Sequence, residues 1–182
     1  MGILFSRRRY HVVILGLDAA GKSTVLYQLR FHQYVSTSPT IGFNYERVRL
    51  DAPAVSGVSF DVWDVGGQDK VRPLWRSYTR TTDGIVFVVD SHDLERLEEA
   101  KVELSRTAHM PETLGVPMAV LANKNDLPGS RSADEIQRQL GLQDVLAGRL
   151  WSMHSACAVT GEGLDDVIVQ LHAMIVKRRK GR

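Results

Sequence analysis

The sequence predicts an α/β fold: a doubly wound, mostly parallel sheet of six strands with helices on both faces. Short apolar runs alternate with stretches of helical period along the 182 residues, which is the pattern of repeated β-α units. Two runs, residues 84–90 and 117–122, are apolar along nearly their whole length, as central parallel strands are. An earlier apolar run, residues 11–15, leads into a glycine-rich loop that opens a helix, which places a ligand site at the sheet edge.

The N-terminal half is predicted as a strand, a helix, a loop and a hairpin. The β-branched run at residues 11–15 is the first strand, and residues 22–31 carry the apolar face of a helix. Residues 45–50 alternate apolar and charged side chains, which indicates an edge strand with one face in water. A turn at residues 56–57 then leads into its antiparallel partner at residues 58–63.

The C-terminal half is predicted as helices and one last strand. Residues 94–108 and 132–140 are helices, and Ser132 with Glu135 fits a capping box at the start of the second. Residues 150–155 form the last strand. A terminal amphipathic helix buries an apolar stripe at helical spacing. The stripe consists of Leu164, Val167, Ile168, Leu171, Met174 and Ile175.

Composition and charge limit the class of protein. One cysteine, Cys157, excludes an internal disulfide and favours the reducing cytosol. Eight of the 23 basic residues lie at positions 7–9 and 177–182, and the rest of the chain has 15 basic against 21 acidic residues. Nucleic-acid binding would spread basic charge over a face of the fold, so no nucleic-acid partner is expected. The two basic ends instead predict contact with an anionic membrane surface, with solvated tails as the alternative.

The loop after the first strand, Gly16-Leu-Asp-Ala-Ala-Gly-Lys-Ser23, is a complete G-x-x-x-x-G-K-S motif. Its glycines let backbone N–H groups converge on phosphate oxygens, and the following helix adds the positive end of its dipole. Lys22 is expected to reach the β- and γ-phosphates, and the Ser23 hydroxyl to ligate Mg²⁺. The motif therefore predicts a P-loop NTPase fold and a nucleoside triphosphate as ligand.

The base is predicted by Asn123-Lys-Asn-Asp126, which follows directly on the strand at residues 117–122. The Asp126 carboxylate can accept hydrogen bonds from N1–H and the 2-amino group of guanine, and adenine offers no such pair. Asn123 is expected to brace the neighbouring loops, and the Lys124 stem to lie along the base plane. The predicted ligands are GTP and GDP.

A third group follows the strand at residues 58–63 and predicts the metal and the catalytic step. Asp64 is expected to hold Mg²⁺ through a water, and Gly67 to offer its N–H to the γ-phosphate with no Cβ in the way. Gln68 is then placed to orient the attacking water, as the catalytic residue. The hydroxyl of Thr40, in the loop before the second strand, is expected to complete the metal shell.

These motifs in this order resemble the Ras-like small GTPases, specifically the Arf and Arf-like family, and within it the Arl4 type. The resemblance covers residues 10–178. It rests on Gly16-Leu-Asp-Ala-Ala-Gly-Lys-Ser23, Pro39-Thr-Ile-Gly-Phe-Asn44, Trp63-Asp-Val-Gly-Gly-Gln68, Arg72-Pro-Leu-Trp-Arg-Ser-Tyr78, Asn123-Lys-Asn-Asp126 and Cys157-Ala158.

The resemblance implies a full set of nucleotide-binding residues. Cys157-Ala158 corresponds to the loop whose backbone contacts guanine, which makes Cys157 a buried packing residue rather than a nucleophile. Asp18 stands where Ras itself has glycine, as is usual in Arf proteins. The implied nucleotide-binding set is Asp18, Ala19, Ala20, Gly21, Lys22, Ser23, Thr24, Thr40, Gly67, Asn123, Lys124, Asp126, Cys157 and Ala158.

The resemblance also implies partners for the active form. Phe43, Trp63 and Tyr78 correspond to the aromatic trio that binds effectors when GTP is present. The hairpin over residues 45–63 corresponds to the interswitch, which slides in register on activation in Arf proteins. A guanine-nucleotide exchange factor and a GTPase-activating protein are the other implied partners.

The N-terminus departs from the Arf proteins proper. Met1-Gly2-x-x-x-Ser6 fits an N-myristoylation signal with Gly2 as the acceptor. Only about eight residues, including Arg7, Arg8 and Arg9, separate Gly2 from the first strand, where Arf proteins have a longer amphipathic helix. Helix retraction of the usual extent is therefore not expected. The predicted divisions are an acylated basic segment at 1–9, a small GTPase domain at 10–176 and a basic tail at 177–182.

The functional hypothesis is a guanine-nucleotide switch that hydrolyses GTP slowly and recruits effectors to membranes in trafficking or cytoskeletal signalling. Its expected location is the cytosol and the cytoplasmic face of the plasma membrane or endomembranes. The basic residues 177–180 would also serve as a nuclear localisation signal, so a nuclear location is the alternative. A metabolic P-loop enzyme such as a nucleotide kinase is the first alternative, but the chain has no spare segment for a lid or second substrate site. A non-hydrolysing GTP-dependent scaffold is the second, and Gln68 argues against it.

Overall fold

Six strands form one sheet. The structure, a computed structural model, describes residues 8–181, so that Gly2, Arg7 and Arg182 of the two basic ends lie outside the described residues. The order across the sheet is β2-β3-β1-β4-β5-β6, and all neighbours are parallel except β2 with β3. The predicted fold class is confirmed. The strands are β1 (Arg8–Leu15), β2 (Phe43–Val48), β3 (Val58–Val65), β4 (Gly84–Asp90), β5 (Met118–Asn123) and β6 (Trp151–Ser155).

Helices cover both faces of the sheet because the central strands bury both rows of their side chains. In β1, Tyr10, Val12 and Ile14 join one buried cluster with the apolar stripes of the first and last helices. The alternate residues Val13 and Leu15 join the other cluster. The helices are α1 (Lys22–Phe31), α2 (Trp75–Thr79), α3 (Leu97–His109), α4 (Ala133–Leu140), α5 (Leu142–Val145) and α6 (Leu164–Lys180). Helices α1 and α6 cover the first face, and α2 to α5 cover the second.

Local sequence rules account for several element boundaries. Helix α1 has the predicted bounds, and α4 begins with the predicted capping box between Ser132 and Glu135. All six residues of the predicted apolar stripe of α6 are buried. The basic residues 177–180 form the last turn of that helix, so cations lie at its negative end, where they stabilise it. No helix within residues 8–181 is long and apolar enough to cross a membrane.

Several elements differ from the prediction: β1 and β3 are longer than predicted, and α5 was not predicted. Strand β2 begins two residues earlier and ends at Val48, and a 3₁₀ turn at Pro53–Val55 makes the connection to β3 longer than a tight hairpin. The predicted helix over residues 94–108 begins with a 3₁₀ turn, Leu94–Arg96, before α3. Helix α2 was not predicted, since its five residues are too few for a periodic signal.

The register of the strands brings the functional loops to one edge of the sheet. Ile14 pairs with Asp64 on one side of β1, and on the other side Leu15 pairs with Phe87. Further along, Asp90 is level with Asn123. Because these strands are parallel, their carboxyl ends lie side by side, where doubly wound folds bind ligands.

Candidate functional site

The glycine-rich loop turns directly into α1. Gly21 precedes the helix with a φ of 95°, and a Cβ there would overlap the side-chain nitrogen of Asn123, so only glycine fits this close approach. Lys22 is buried and donates a hydrogen bond to the carbonyl oxygen of Leu17 at 2.8 Å. Burial lowers the pKa of the Lys22 ammonium to about 8, against the opposing pull of Asp64 and Asp18.

Beside Lys22, three predicted metal-binding residues come together. The hydroxyls of Ser23 and Thr40 are 2.8 Å apart, and Ser23 Oγ donates to Asp64 Oδ2 at 2.5 Å. The Asp64 side chain is fully buried, and its second oxygen, Oδ1, has no hydrogen-bond partner among residues 8–181. Hydroxyl and carboxylate oxygens are the donors Mg²⁺ prefers, and an unpaired buried oxygen suits a metal-bound water. The residues present therefore fit Mg²⁺.

The structure adds one residue to this group that the sequence did not single out. Asn44 Nδ2 donates to Asp64 Oδ2 at 2.9 Å and lies 3.3 Å from Thr40 Oγ1. Asn44 and Asp64 are paired in the antiparallel register of β2 and β3. The signal was present in the motif Pro39-Thr-Ile-Gly-Phe-Asn44, but only the register shows that Asn44 faces the oxygen cluster.

Gly67 and Gln68 follow β3 and close the phosphate side of the cleft. A Cβ on Gly67 would overlap the backbone of Gly16, Leu17 and Asp18, so this residue can lie against the phosphate loop only because it is glycine. Gln68, half-buried, lines the cleft, whose volume is about 370 Å³. The other lining residues include Asp18, Ala19, Gly21, Lys22, Ser23, Thr24, Thr40 and Lys124.

The predicted base-binding loops meet through Asn123. Its side-chain nitrogen donates to the carbonyl oxygen of Ala20 at 2.9 Å, and its side-chain oxygen accepts from the Ala158 N–H at 3.0 Å. One amide thus joins three loops that lie far apart in the sequence. A second hollow of about 120 Å³ opens beside it and is lined by Asp126 and Ala158, among others. Cys157 is buried next to it, as predicted.

Lys124 ties the base side to the phosphate loop. Its ammonium donates to the Ala19 carbonyl oxygen at 2.7 Å and pairs with Asp90 Oδ2 at 2.6 Å. Both Ala19 and Lys124 have left-handed backbone angles, with φ near 62° and 64°. Such conformations cost free energy in residues other than glycine and cluster at functional sites. Asp90, at the end of β4, was not predicted from the sequence.

The predicted effector trio forms a continuous aromatic surface outside the cleft. The ring centroid of Phe43 lies 5.2 Å from that of Trp63 and 5.5 Å from that of Tyr78. Phe43 is 48% exposed, so the cluster presents apolar area to solvent, as protein-binding surfaces do. Phe43 directly precedes Asn44 on β2, and the alternation of a strand places the two on opposite faces.

Comparisons with known proteins agree with this geometry. The model of the ADP-ribosylation factor family matches residues 1–175. The human ADP-ribosylation factor-like protein 4C is 52% identical over 170 residues, covering 93% of this chain and 88% of that protein. The human 4A protein is 51% identical over 175 residues, covering 96% and 88%, and the human 4D protein is 51% identical over 170 residues, covering 93% and 85%.

A solved structure shares the fold. The Arl6 BBS3 small GTPase from Trypanosoma brucei, with bound nucleotide analogue GppNp, superposes with a TM-score of 0.83 at 28% sequence identity. The match covers 93% of this chain and 99% of that one.

Proposed function

The chain belongs to the ADP-ribosylation factor family, as an Arf-like small GTPase most similar to the Arl4 type, and on that premise we propose that its GTP-binding switch recruits effectors to membranes. Members of this family bind and hydrolyse GTP, and this chain is such a hydrolase. We further propose which residues bind the nucleotide, the metal ion and the effectors, and where the effectors are recruited.

The nucleotide is held, in this proposal, across the carboxyl edge of the sheet. Asp126 reads guanine, while Asn123 fixes the phosphate loop and the loop of Ala158 as one unit. That single bridging amide is the observation that carries the assignment, because it aligns the base hollow with the phosphate cleft. Lys22 faces the phosphates, and its buried position makes its charge more effective than it would be in water.

Metal binding and hydrolysis are assigned to the oxygen cluster and Gln68. Ser23 and Thr40 would ligate Mg²⁺, and Asp64 would hold it through a water. When bound, the ion neutralises charge on the phosphate oxygens. Gln68, at the mouth of the cleft, orients the attacking water. Without an activating protein the turnover is expected to be on the order of 10⁻⁴ to 10⁻² per second.

The aromatic surface is proposed as the output of the switch. Phe43 and Trp63 belong to the paired strands β2 and β3, and Tyr78 belongs to α2, which follows Gln68. Thr40 and Gln68 both line the cleft, and Phe43 and Tyr78 follow them closely along the chain. A γ-phosphate that orders Thr40 and Gln68 would therefore also fix the trio. Effectors would then bind the GTP form better than the GDP form, and an exchange factor and an activating protein would set the balance.

Membrane attachment is proposed through Gly2 and the basic ends. The Arg179 guanidinium carbon lies 4.6 Å from the ring centroid of Tyr10, and Arg179 pairs with Asp83 at 2.7 Å. The last turn of α6 therefore packs beside the start of β1, which supports the two basic ends acting on one surface. One myristoyl chain gives only marginal binding, so a basic patch is needed as the second signal.

The assignment of the base is tested by the substitution Asp126→Asn. An amide both donates and accepts, which suits xanthine better than guanine, so GTP affinity should fall while XTP affinity rises. Fluorescent-nucleotide competition on the full chain measures both, with Asn125→Asp as a neighbouring control that should leave the preference unchanged. Equal competition by ATP and GTP on the unmodified protein would contradict the assignment.

A further inference from the structure

A buried arginine holds the backbone that follows β3. Arg72 lies in the 3₁₀ turn before α2, with only 6% of its side chain exposed. Its Nε donates to the carbonyl oxygen of Gly67 at 2.8 Å, and one terminal nitrogen pairs with Glu99 of α3 at 2.7 Å. The other terminal nitrogen pairs with Asp69 at 2.6 Å and lies 3.5 Å from Glu103. A guanidinium can make these contacts together because its five N–H donors point in fixed, separate directions.

A second arginine joins the same carboxylate to the phosphate loop. Arg96 donates to Asp18 Oδ1 at 2.8 Å and to the Asp18 carbonyl oxygen at 3.2 Å. It also pairs with Glu99 at 3.0 Å. Hydrogen bonds from Arg96 and Arg72 lower the pKa of the Glu99 carboxyl to about 2, and the hydrogen bond from Arg96 lowers the pKa of Asp18. Glu99 is therefore ionised throughout the physiological range.

These contacts form one connected path, and Arg72 also pairs directly with Asp18 at 3.6 Å. The path runs from Asp18 in the phosphate loop through Arg96 to Glu99, and from there through Arg72 to the carbonyl of Gly67. Gly67 itself packs against the backbone of the phosphate loop. Gly67 is therefore held by the phosphate loop through direct contact and by α3 through Arg72.

We propose that Glu99 is a positioning residue: acting through Arg72, it holds Gly67 at the phosphate loop and so favours nucleotides that carry a γ-phosphate. The inference rests on the proposed function, because it takes the Gly67 N–H as a γ-phosphate donor. A GDP molecule ends at the β-phosphate, which the phosphate loop itself cradles, so GDP binding does not use the Gly67 end of the path. Loss of the Glu99 charge weakens the hold on the buried Arg72, which keeps Asp69 and Glu103 as partners, so Gly67 leaves its place more readily.

The variant Glu99→Gln tests this because it keeps the size of the side chain and removes the charge. Glu98→Gln is the matched control, since Glu98 is the exposed neighbour on the same helix. Dissociation constants for GDP and for the non-hydrolysable analogue GppNp are measured on the full chain at fixed Mg²⁺. For E99Q we expect about tenfold weaker GppNp binding, with GDP binding changed less than about twofold. For E98Q both constants should match those of the unmodified protein.

Amide hydrogen exchange gives a second readout, independent of affinity. With GppNp bound, residues 66–74 of E99Q should exchange faster than in the unmodified protein, while α6 keeps its protection. The proposal is overturned if E99Q loses GDP and GppNp affinity equally, which is a general structural effect, or if neither affinity changes. If E99Q does not fold, Arg96→Gln, at a side chain that is 32% exposed, tests the proposal in the same way through its ratio of GppNp to GDP affinity.

The two proposals fail differently. Unmodified protein that does not prefer guanine nucleotides to ATP contradicts the proposed function and, with it, the role of Glu99. Normal guanine binding with an unchanged GppNp-to-GDP ratio in E99Q contradicts only the role of Glu99.

Discussion

The ammonium of Lys22 is satisfied by the carbonyl oxygen of Leu17, 2.8 Å away within the same loop. Burial lowers the Lys22 pKa to about 8, so the ordinary preference of a lysine for the charged form is weakened before any phosphate arrives. A phosphate group placed against it stabilises the ammonium and raises its pKa again.

Nucleotide binding should therefore take up a proton in mildly alkaline solution. At pH 8 about half of the Lys22 side chains start neutral and become charged on binding, whereas at pH 7 most are already charged. We expect uptake of about half a proton at pH 8 and much less at pH 7, with affinity falling as the pH rises above 8. Calorimetry of GDP binding in two buffers of different ionisation enthalpy measures this. Equal uptake at both pH values would contradict it.

Replacing Gln68 with leucine separates binding from hydrolysis. The change removes the group that orients water and leaves the phosphate contacts in place, so GppNp affinity should stay within about twofold while stimulated hydrolysis falls by at least about 100-fold. Fluorescent-nucleotide competition measures the GppNp affinity, and single-turnover hydrolysis of GTP with an activating protein measures the rate. Lys70→Gln, at a nearby exposed residue, is the control for surface effects on the activating protein. Equal rates for Gln68→Leu and the unmodified protein would exclude Gln68 as the catalytic residue.

The capping box of α4 gives a prediction about stability alone. Ser132 Oγ accepts from the Glu135 N–H, and the Ser132 N–H donates back to the Glu135 carboxylate at 2.9 Å. Ser132→Ala should lower the free energy of unfolding by about 1 kcal/mol. Urea unfolding at a fixed GDP concentration measures the loss. Ser132→Thr preserves the capping hydroxyl and should behave like the unmodified protein, and a similar loss in both variants would contradict the capping explanation.

Membrane attachment should need both signals. Gly2→Ala should release most of the protein from membranes, because it removes the acyl site. Neutralising the basic residues 177–180 should weaken binding to anionic membranes and leave the remaining binding less sensitive to salt, since each basic residue near an anionic leaflet contributes roughly 1 kcal/mol that salt screens. Flotation of acylated protein with neutral and anionic liposomes measures both effects. Equal binding to the two kinds of vesicle would show that the basic ends are not an anchor.

The features that could be predicted from the sequence are those set by neighbours along the chain. Ser132 and Glu135 cap a helix within three residues of one another, and the bounds of α1 follow from a glycine before it and a regular apolar face. The central strands β4 and β5 were predicted because side chains buried on both faces leave an unbroken apolar run. The phosphate loop and the base loop were predicted because each is a contiguous motif.

The features that were not predicted depend on contacts between distant segments. Arg72 and Glu99 are 27 residues apart, and no local pattern shows that an arginine after Gln68 will be buried among carboxylates. Helix α2 is stabilised by contacts with neighbouring segments and not by an amphipathic repeat of its own. The Trp75 indole N–H, for example, donates to the carbonyl oxygen of Gly66. Asn44 belongs to the metal cluster only because of the register of β2 against β3.

Because β1 lies between β3 and β4, both of its edges can be paired only after β4 has been synthesised. Residues of β1 pair with β3 and with β4, and Val12 meets Gly84, which is synthesised 72 positions later. At 5–20 residues per second, the ribosome takes about 4 to 14 s to reach that partner, and until then the apolar first strand has an open edge. A chain arrested before residue 84 should therefore be retained by chaperones and degraded. One arrested well beyond residue 90, with that segment clear of the ribosome, can close both edges of β1.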